Sequence, residues 1–282
     1  MRVAVVTDST ADLEPEAAAH LGIDVVPLFV NFGESSFRDE IDITRDEFYA
    51  RLGAGDVLPT TTQASTASYA ECFARLADAG REIVCVSISS ALSGTINAAY
   101  AAAKDVSSAV IHIVDSRTVS AGLMLLVRTA AELAAEGKTG TEIVRKIEEL
   151  RARQRLFAAI PDLSHAVRTG RVSKGMAMLG GIMKLSPVIT LDENGKIAEF
   201  ARVRTFERAL ETLVEATVVH VASAAGARIA IVHSRAFRTA EALRDRLLAK
   251  LTTRPARLEI VETGPAIAVH AGIGAAGIFS VF

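Results

Sequence analysis

The chain has 282 residues, 50% of them hydrophobic and 23% charged. That length suggests about two domains of ordinary size, and the composition excludes a disordered chain. The formal charge is −2, with 31 Lys+Arg against 33 Asp+Glu, and the pI is near 6.3. There is no dense basic run and no Trp, and the 11 Phe and 3 Tyr are scattered. The charge footprint and stacking platform of a nucleic-acid binder are therefore missing from the pattern.

The N-terminal segment Arg2-Val3-Ala4-Val5-Val6-Thr7-Asp8 reads as a first strand, not a signal peptide, because it lacks a basic leader, a long apolar stretch and a cleavage site. Cys72 and Cys85 form no motif. They are expected to be buried free thiols, which suits a reducing, cytoplasmic setting. Gly264 to Phe282 is the one uncharged stretch near membrane length. Pro265, His270 and its glycines favour a buried Gly-rich tail over a transmembrane segment.

In chain order, Val3–Val6, Ile83–Ile88 and Val110–Val114 are apolar runs without alternation, as strands of a doubly covered parallel sheet are. Helices are predicted between and after them. Thr44 to Leu52 opens on a Thr44/Glu47 capping box. Thr66 to Ala79 sets Tyr69, Phe73, Leu76 and Ala77 on one face. Ser93 to Lys104, Val119 to Glu136 and Thr141 to Gln154 follow. Beyond residue 155 the pattern changes. Leu156–Ile160 is a short strand, and Ser164–Thr169 and Met176–Lys184 read as helices. Pro187–Leu191 and Lys196–Val203 form a hairpin around Asp192-Glu193-Asn194-Gly195, whose Asn-Gly is a strong turn signal. A helix from Thr205 to about Ala224, a strand at Ile229–Val232, a helix at Thr239–Leu251 and a strand at Leu258–Val261 complete it. The expected fold class is α/β with two domains. Residues 1–155 form a mostly parallel sheet with flanking helices, and residues 156–282 form an α+β domain.

Three predicted strands run into hydroxyl-rich segments: Thr7-Asp8-Ser9-Thr10, Ser89-Ser90 and Asp115-Ser116. Ligands of open α/β sheets bind beyond the carboxyl ends of strands, though the same residue types also cap helices. The sharpest local signal is Ser89-Ser90-Ala91-Leu92-Ser93-Gly94-Thr95 entering a helix. Unpaired N–H groups, hydroxyls and a glycine there suit a carboxylate or phosphate, and an ordinary N-cap at Ser93 is the competing reading. A second hydroxyl cluster, Pro59-Thr60-Thr61-Thr62-Gln63-Ala64-Ser65-Thr66, reads as an extended loop into a helix. His270, in an apolar run, is either a satisfied core histidine or a hydrogen-bond donor to an acid ligand. Met176, Met178, Leu179, Ile182 and Met183 supply adaptable apolar volume, for a core helix or for a flexible ligand.

Other chemistries lack a motif. Gly272, Gly274 and Gly277 match G-x-G-x-x-G formally, but only five residues follow, whereas the dinucleotide fingerprint opens a βαβ unit. There is no Walker A motif, no G-x-S-x-G elbow and no H-E-x-x-H, and the six histidines are dispersed, so no metal and no cofactor are expected.

Taken together, the segments Thr7-Asp8-Ser9-Thr10-Ala11-Asp12-Leu13, Phe37-Arg38-Asp39-Glu40-Ile41-Asp42-Ile43, Pro59-Thr60-Thr61-Thr62-Gln63, Ser89 to Thr95, Val114-Asp115-Ser116, Gly170-Arg171-Val172-Ser173 and the Gly-Pro…His…Gly tail resemble the DegV family across nearly the whole chain. The resemblance implies a bacterial, two-domain lipid-binding protein with a tunnel for one long-chain fatty acid between its domains. It further implies a subunit of a fatty acid kinase, not itself an enzyme, which presents the acid to a separate ATP-binding subunit for acyl phosphate formation. By resemblance, Thr61, Thr62, Ser93, Gly94 and His270 hold the carboxylate, while Arg171 and Arg204 face the partner. Met176, Met178, Leu179, Ile182 and Met183 are assigned to the acyl chain. Ala64 stands where the family usually has Pro, and Ala268 and Ile273 replace the usual Gly and Pro around the tail histidine.

Neutral donors at a helix start lessen the cost of burying a carboxylate. A long acyl chain supplies on the order of 10 kcal/mol gross, at ~0.8 kcal/mol per buried CH₂. Two other readings stay open. One is a stand-alone hydrolase or small phosphotransferase with Ser93 or Thr61 as nucleophile and His270 as base. The other is a lipid-responsive regulatory protein.

Overall fold

Apolar β-branched runs form the sheet of the first unit, as their lack of alternation predicts. The structure is a computed structural model, and it describes residues 2–55, 57–172, 186–222, 224 and 226–282. The chain divides into two compact units, Met1–Ala152 with Gly264–Ala266, and Arg153–Thr263 with Ile267–Phe282.

In the first unit β1 (Val3–Asp8) leads through a single 3₁₀ turn (Ser9–Ala11) to α1 (Pro15–Leu21) and β2 (Ile23–Val26). A small sheet follows, of β3 (Phe29–Phe32) and β4 (Ser35–Arg38), then α2 (Arg45–Ala54) and β5 (Thr60–Thr62). Next come α3 (Thr66–Asp78), β6 (Glu82–Ser87), α4 (Thr95–Ala103), β7 (Ile111–Asp115), α5 (Ala121–Ala135) and α6 (Gly140–Arg153). The main sheet has the order β2-β1-β6-β7 and is parallel throughout. Every residue of β1 is buried. Tyr69, Phe73 and Leu76 of α3, with Ala98, Ala99 and Ala102 of α4, pack onto Val6, Ile83 and Cys85. The capping box is present: Thr44 N donates to Glu47 Oε2 at 2.9 Å, and Glu47 N donates to Thr44 Oγ1 at 3.3 Å.

The second unit contains β8 (Arg155–Ala159), α7 (Ser164–Arg168), β9 (Ser186–Leu191), β10 (Ile197–Val203), α8 (Phe206–Val221), β11 (Arg228–His233), α9 (Phe237–Lys250), β12 (Arg257–Glu262) and β13 (Ala276–Val281). Its mixed sheet has the order β10-β9-β8-β13-β11-β12. The predicted hairpin is there: β9 and β10 are antiparallel. Asp192 Oδ1 accepts the amides of Asn194 and Lys196, each at 2.9 Å, and Gly195 takes a φ of 76°. Leu210, Leu213 and Val214 of α8 and Leu243 and Leu247 of α9 pack on Ile229, Ile231 and Ile278.

Four expectations are refined. The Thr60–Thr62 segment is a strand, not a loop, because β5 pairs antiparallel with β3. The helix expected from Ser93 starts at Thr95. Cys85 is buried but Cys72 only partly. The Gly-rich tail divides into α10 (Pro265–Ala271) and β13, an inner strand flanked by β8 and β11. The formal G-x-G-x-x-G accordingly runs helix, turn, strand. Gly272 and Gly274 turn the chain at φ 71° and 90°. At Gly277 a Cβ would meet Ala158 Cβ at 3.0 Å and Phe157 O at 3.2 Å, so this residue serves strand packing. The predicted methionine-rich helix at 176–184 lies outside the described residues.

Candidate functional site

The ends of the parallel strands are rich in hydroxyls, but most of these are spent inside the protein. Asp8, fully buried at the end of β1, accepts from Ser87 Oγ at 2.7 Å, Ile88 N at 2.9 Å, Thr10 N at 3.2 Å and the Thr10 hydroxyl. Burial pushes its carboxyl up, and these four hydrogen bonds pull against that. Thr7 donates to Val86 O at 2.8 Å. Thr7, Ser9, Thr10, Ser87, Ser89 and Ser116 are all buried. Asp8 thus fixes the end of β6, from which the Ser89–Gly94 loop departs. On the exposed side Ser90 Oγ donates to Asp115 Oδ2 at 2.6 Å.

The two hydroxyl segments singled out by sequence meet beside this strand end. In β5, Thr61 pairs with Val30 and Thr62 with Phe29. Thr61 is half-buried, and exposed Thr62 accepts from Asn31 Nδ2 at 3.0 Å. After β5, Ala64 N donates to Thr95 Oγ1 at 3.4 Å. The Gln63 amide lies across Gly94, where a Cβ would collide with Gln63 Oε1. Gly94 is the N-cap of α4 and gives it no side-chain cap. Ser93, half-buried just outside the helix, accepts from Thr95 N at 3.2 Å and lies 2.9 Å from Thr95 Oγ1. The segment that follows Thr61 and Thr62 thus meets the Ser93–Gly94 turn, through Gln63 on Gly94 and Ala64 on Thr95, beside amides at a helix start, an arrangement suited to an anionic oxygen.

His270 and Arg171 come together in the second unit. His270 Nδ1 lies 2.7 Å from Thr169 Oγ1. The Thr169 hydroxyl donates its proton to His165 O, at 2.8 Å, so its oxygen receives the proton of His270 Nδ1. The neutral ring then carries its lone pair on Nε2. Burial, with Arg171 and His165 nearby, pushes His270 down to about 3. His270 is thus a neutral imidazole. Arg171 donates from Nη1 to Thr169 O, and Arg204 is exposed just past β10. Met176, Met178, Leu179, Ile182 and Met183, assigned to the acyl chain, lie outside the described residues.

One group of residues escaped sequence reasoning. Asp12 and Asp39 are buried in the first unit and hold the tail's helix start. Gly264 N donates to Asp12 Oδ1 at 2.8 Å and Ala266 N donates to Asp39 Oδ1 at 3.3 Å. The Ser120 hydroxyl donates to Asp12 Oδ2. Arg45 reaches Glu40 Oε1 at 2.6 Å and the Asp12 carbonyl at 3.2 Å. Asp12, Glu40 and Ser120 all have positive φ, at 53°, 62° and 56°, so three strained residues meet at buried Asp12 and Ser120 and half-buried Glu40. Burial pushes Asp12 up to about 7 against Arg45 and the Ser120 hydroxyl. It pushes Asp39 up to about 8, with the Ser9 hydroxyl opposing. Two of the donors are backbone amides, which leave no residue signature. Among the described residues no cluster of His, Cys, Asp or Glu could hold a metal ion, and no helix is long and apolar enough to cross a membrane.

Fold and hydroxyl site together define an α/β protein of two units, one built on a parallel sheet and one on a mixed sheet, with a polar face at the parallel strand ends. A family model described as "Uncharacterised protein, DegV family" matches residues 2–282, and the chain belongs to the DegV family. It is 32% identical over 278 residues to a DegV domain-containing protein of Halalkalibacterium halodurans, covering 98% of this chain and 97% of that one. A DegV domain-containing protein of Deinococcus radiodurans is also 32% identical, over 99% of this chain and 98% of its own. Among solved structures it is similar to a DegV family protein from Thermus thermophilus described by its fatty acid binding (TM-score 0.91, 31% identity, 100% of this chain and 99% of that one). It is similar also to DegV of Bacillus subtilis, described as a fatty acid binding protein (TM-score 0.90, 29% identity, 100% and 99%). A third is a stearic acid-binding protein from Eubacterium ventriosum (TM-score 0.88, 25% identity, 99% and 98%).

Proposed function

We propose that this protein binds a long-chain fatty acid and presents its carboxylate to an ATP-dependent kinase subunit, which forms the acyl phosphate. The observation that carries the binding is the meeting of the Thr61–Thr62 strand with the Ser93–Gly94 loop, in a chain similar over its full length to fatty-acid-binding proteins. Hydroxyl donors at a helix start hold an anion without a fixed countercharge. In this reading Ser93 and Thr61 donate to the carboxylate and Gly94 lets it approach the helix amides. His270 is assigned to the carboxylate by its match to the family's tail histidine. The acyl chain takes up the methionine-rich segment, including Met176, Met178, Leu179, Ile182 and Met183. Arg171 and Arg204 face the kinase subunit. Presentation to a partner, as opposed to catalysis by this chain, is supported by the lack of any nucleotide-binding motif in the sequence and by the family resemblance.

Native mass spectrometry of the purified protein, followed by organic extraction, tests this. The expected result is one long-chain fatty acid per chain, lost on denaturation, with Ser93→Ala and Thr61→Ala retaining less of it while staying folded. An empty protein that takes up no added fatty acid would overturn the reading.

A further inference from the structure

Thr95 is fully buried, and its hydroxyl oxygen receives the Ala64 N–H at 3.4 Å. A buried hydroxyl must also place its proton. Among the described residues the acceptor within its reach is Ser93 Oγ, 2.9 Å away. If the proton ran the other way, from Ser93 to Thr95, the Thr95 proton would be left in the interior without a partner. Ser93 Oγ receives a second donor, the Thr95 backbone N–H, at 3.2 Å. A serine hydroxyl has two acceptor lone pairs and one proton. With both lone pairs filled from Thr95, Ser93 has only its proton to offer, and it must offer it away from Thr95.

We propose that Thr95 is a positioning residue that commits Ser93 to donating, through the ordered series Ala64 N–H to Thr95 hydroxyl to Ser93 hydroxyl to ligand, and so makes this site select an anionic oxygen over a neutral one. The proposal rests on the fatty-acid reading above. It adds the origin of the preference for a charged head group. Thr95 itself touches no ligand. Its place in the interior at the first turn of α4 gives it the reach to Ser93. Ala64 belongs to the segment that follows β5, so the series also joins the two hydroxyl segments of the site.

The test is the affinity of purified, delipidated protein for palmitate and for hexadecanol, which share a chain and differ in head group. Thr95→Val keeps the shape and removes the hydroxyl. It is expected to weaken palmitate by about tenfold, the worth of a charge-assisted hydrogen bond, and to leave hexadecanol within about twofold. Thr95→Ser, which restores the hydroxyl, should recover most of the palmitate affinity. In a Ser93→Ala background Thr95→Val should change nothing further. Palmitate affinity untouched by Thr95→Val, equal loss of both ligands, or full additivity with Ser93→Ala would each overturn the assignment. If Thr95→Val does not fold, Thr95→Ala removes the same hydroxyl with a smaller side chain. It should weaken palmitate selectively, and unchanged palmitate affinity there would count against the series. Wild-type protein that binds neither ligand would overturn the fatty-acid reading itself and this assignment with it. A wild type that binds palmitate normally while Thr95→Val does too overturns only the role of Thr95.

Discussion

The amide of Ala266 donates to Oδ1 of Asp39 at 3.3 Å, while the second oxygen of that buried carboxyl, Oδ2, has no hydrogen-bond partner among the described residues. Asp39 is therefore better suited to the protonated state, and burial raises it to about 8. Its neighbour Asp12 rises to about 7 for the same reason.

The stability consequence has a definite sign. From the carboxyl's ordinary 3.8 up to the raised values, the folded protein holds more protons than the unfolded chain, so stability falls as pH rises through that window. The fall should be on the order of a few kcal/mol and level off above about 8. Asp39→Asn keeps the oxygen that receives Ala266 and removes the charge. Thermal denaturation between pH 5 and 9, read with about half-unit steps, should show a shallower decline in this variant and a higher Tm at the alkaline end. A slope equal to wild type would place the titration elsewhere.

His270 carries the opposite sign. Its value is lowered from 6.5 to about 3, so the unfolded chain takes up the extra proton and stability falls as pH drops below 6.5. Nitrogen-15 NMR of the imidazole should show a neutral ring protonated on Nδ1 across pH 5 to 8. Thr169→Val removes the acceptor and should shift the ring toward the Nε2 tautomer. An Nε2–H ring in the wild type would reverse the direction drawn between His270 and Thr169.

Gly264→Ala tests the anchorage of the tail segment. A Cβ there would lie 2.9 Å from Glu40 Oε1 and 3.3 Å from Asp12 Oδ1, and both side chains are held, by Arg45 and by the Ser120 hydroxyl. The substitution should cost about 1–3 kcal/mol in urea denaturation. A change within experimental error would mean that Glu40 swings clear.

Gly94→Ala is expected to behave differently, although the contact is closer on paper. Its φ is −74°, which alanine accepts, and the obstructing atom is the end of the exposed Gln63 side chain. The penalty should stay within about 1 kcal/mol and disappear in a Gln63→Ala background. A loss that survives removal of Gln63 would show that the amide is not what fills the space over Gly94.

Much of the fold could be read from residue order because the relevant signals are local. The strands at Val3–Asp8, Glu82–Ser87 and Ile111–Asp115 are apolar without alternation, and the Thr44/Glu47 box and the Asp192–Gly195 turn name themselves. The small β4-β3-β5 sheet could not be read that way. Its strands are three or four residues long and partly exposed, too short to show a period. The tail was ambiguous because an apolar run of small residues suits a helix or a strand equally. Of the site, Thr61, Ser93 and Gly94 stood out by type and spacing. Thr95, Gln63, Asp12 and Asp39 act through contacts across the fold, three of them with backbone amides that any residue supplies.

Strand β13 follows in sequence every strand it joins, yet it lies inside its sheet, paired with β8 on one side and β11 on the other. As the chain emerges from a ribosome, the β8–β10 portion and the β11–β12 pair exist as separate pieces with open edges until Ala276–Val281 arrives to fill the slot. The parallel-sheet unit likewise waits for Gly264–Ala266, made more than a hundred residues after the rest of it. Completion of both units thus waits for residues 264–266 and 276–281. The interval leaves exposed strand edges in the nascent chain, the kind of surface that chaperones shield and that aggregates otherwise capture.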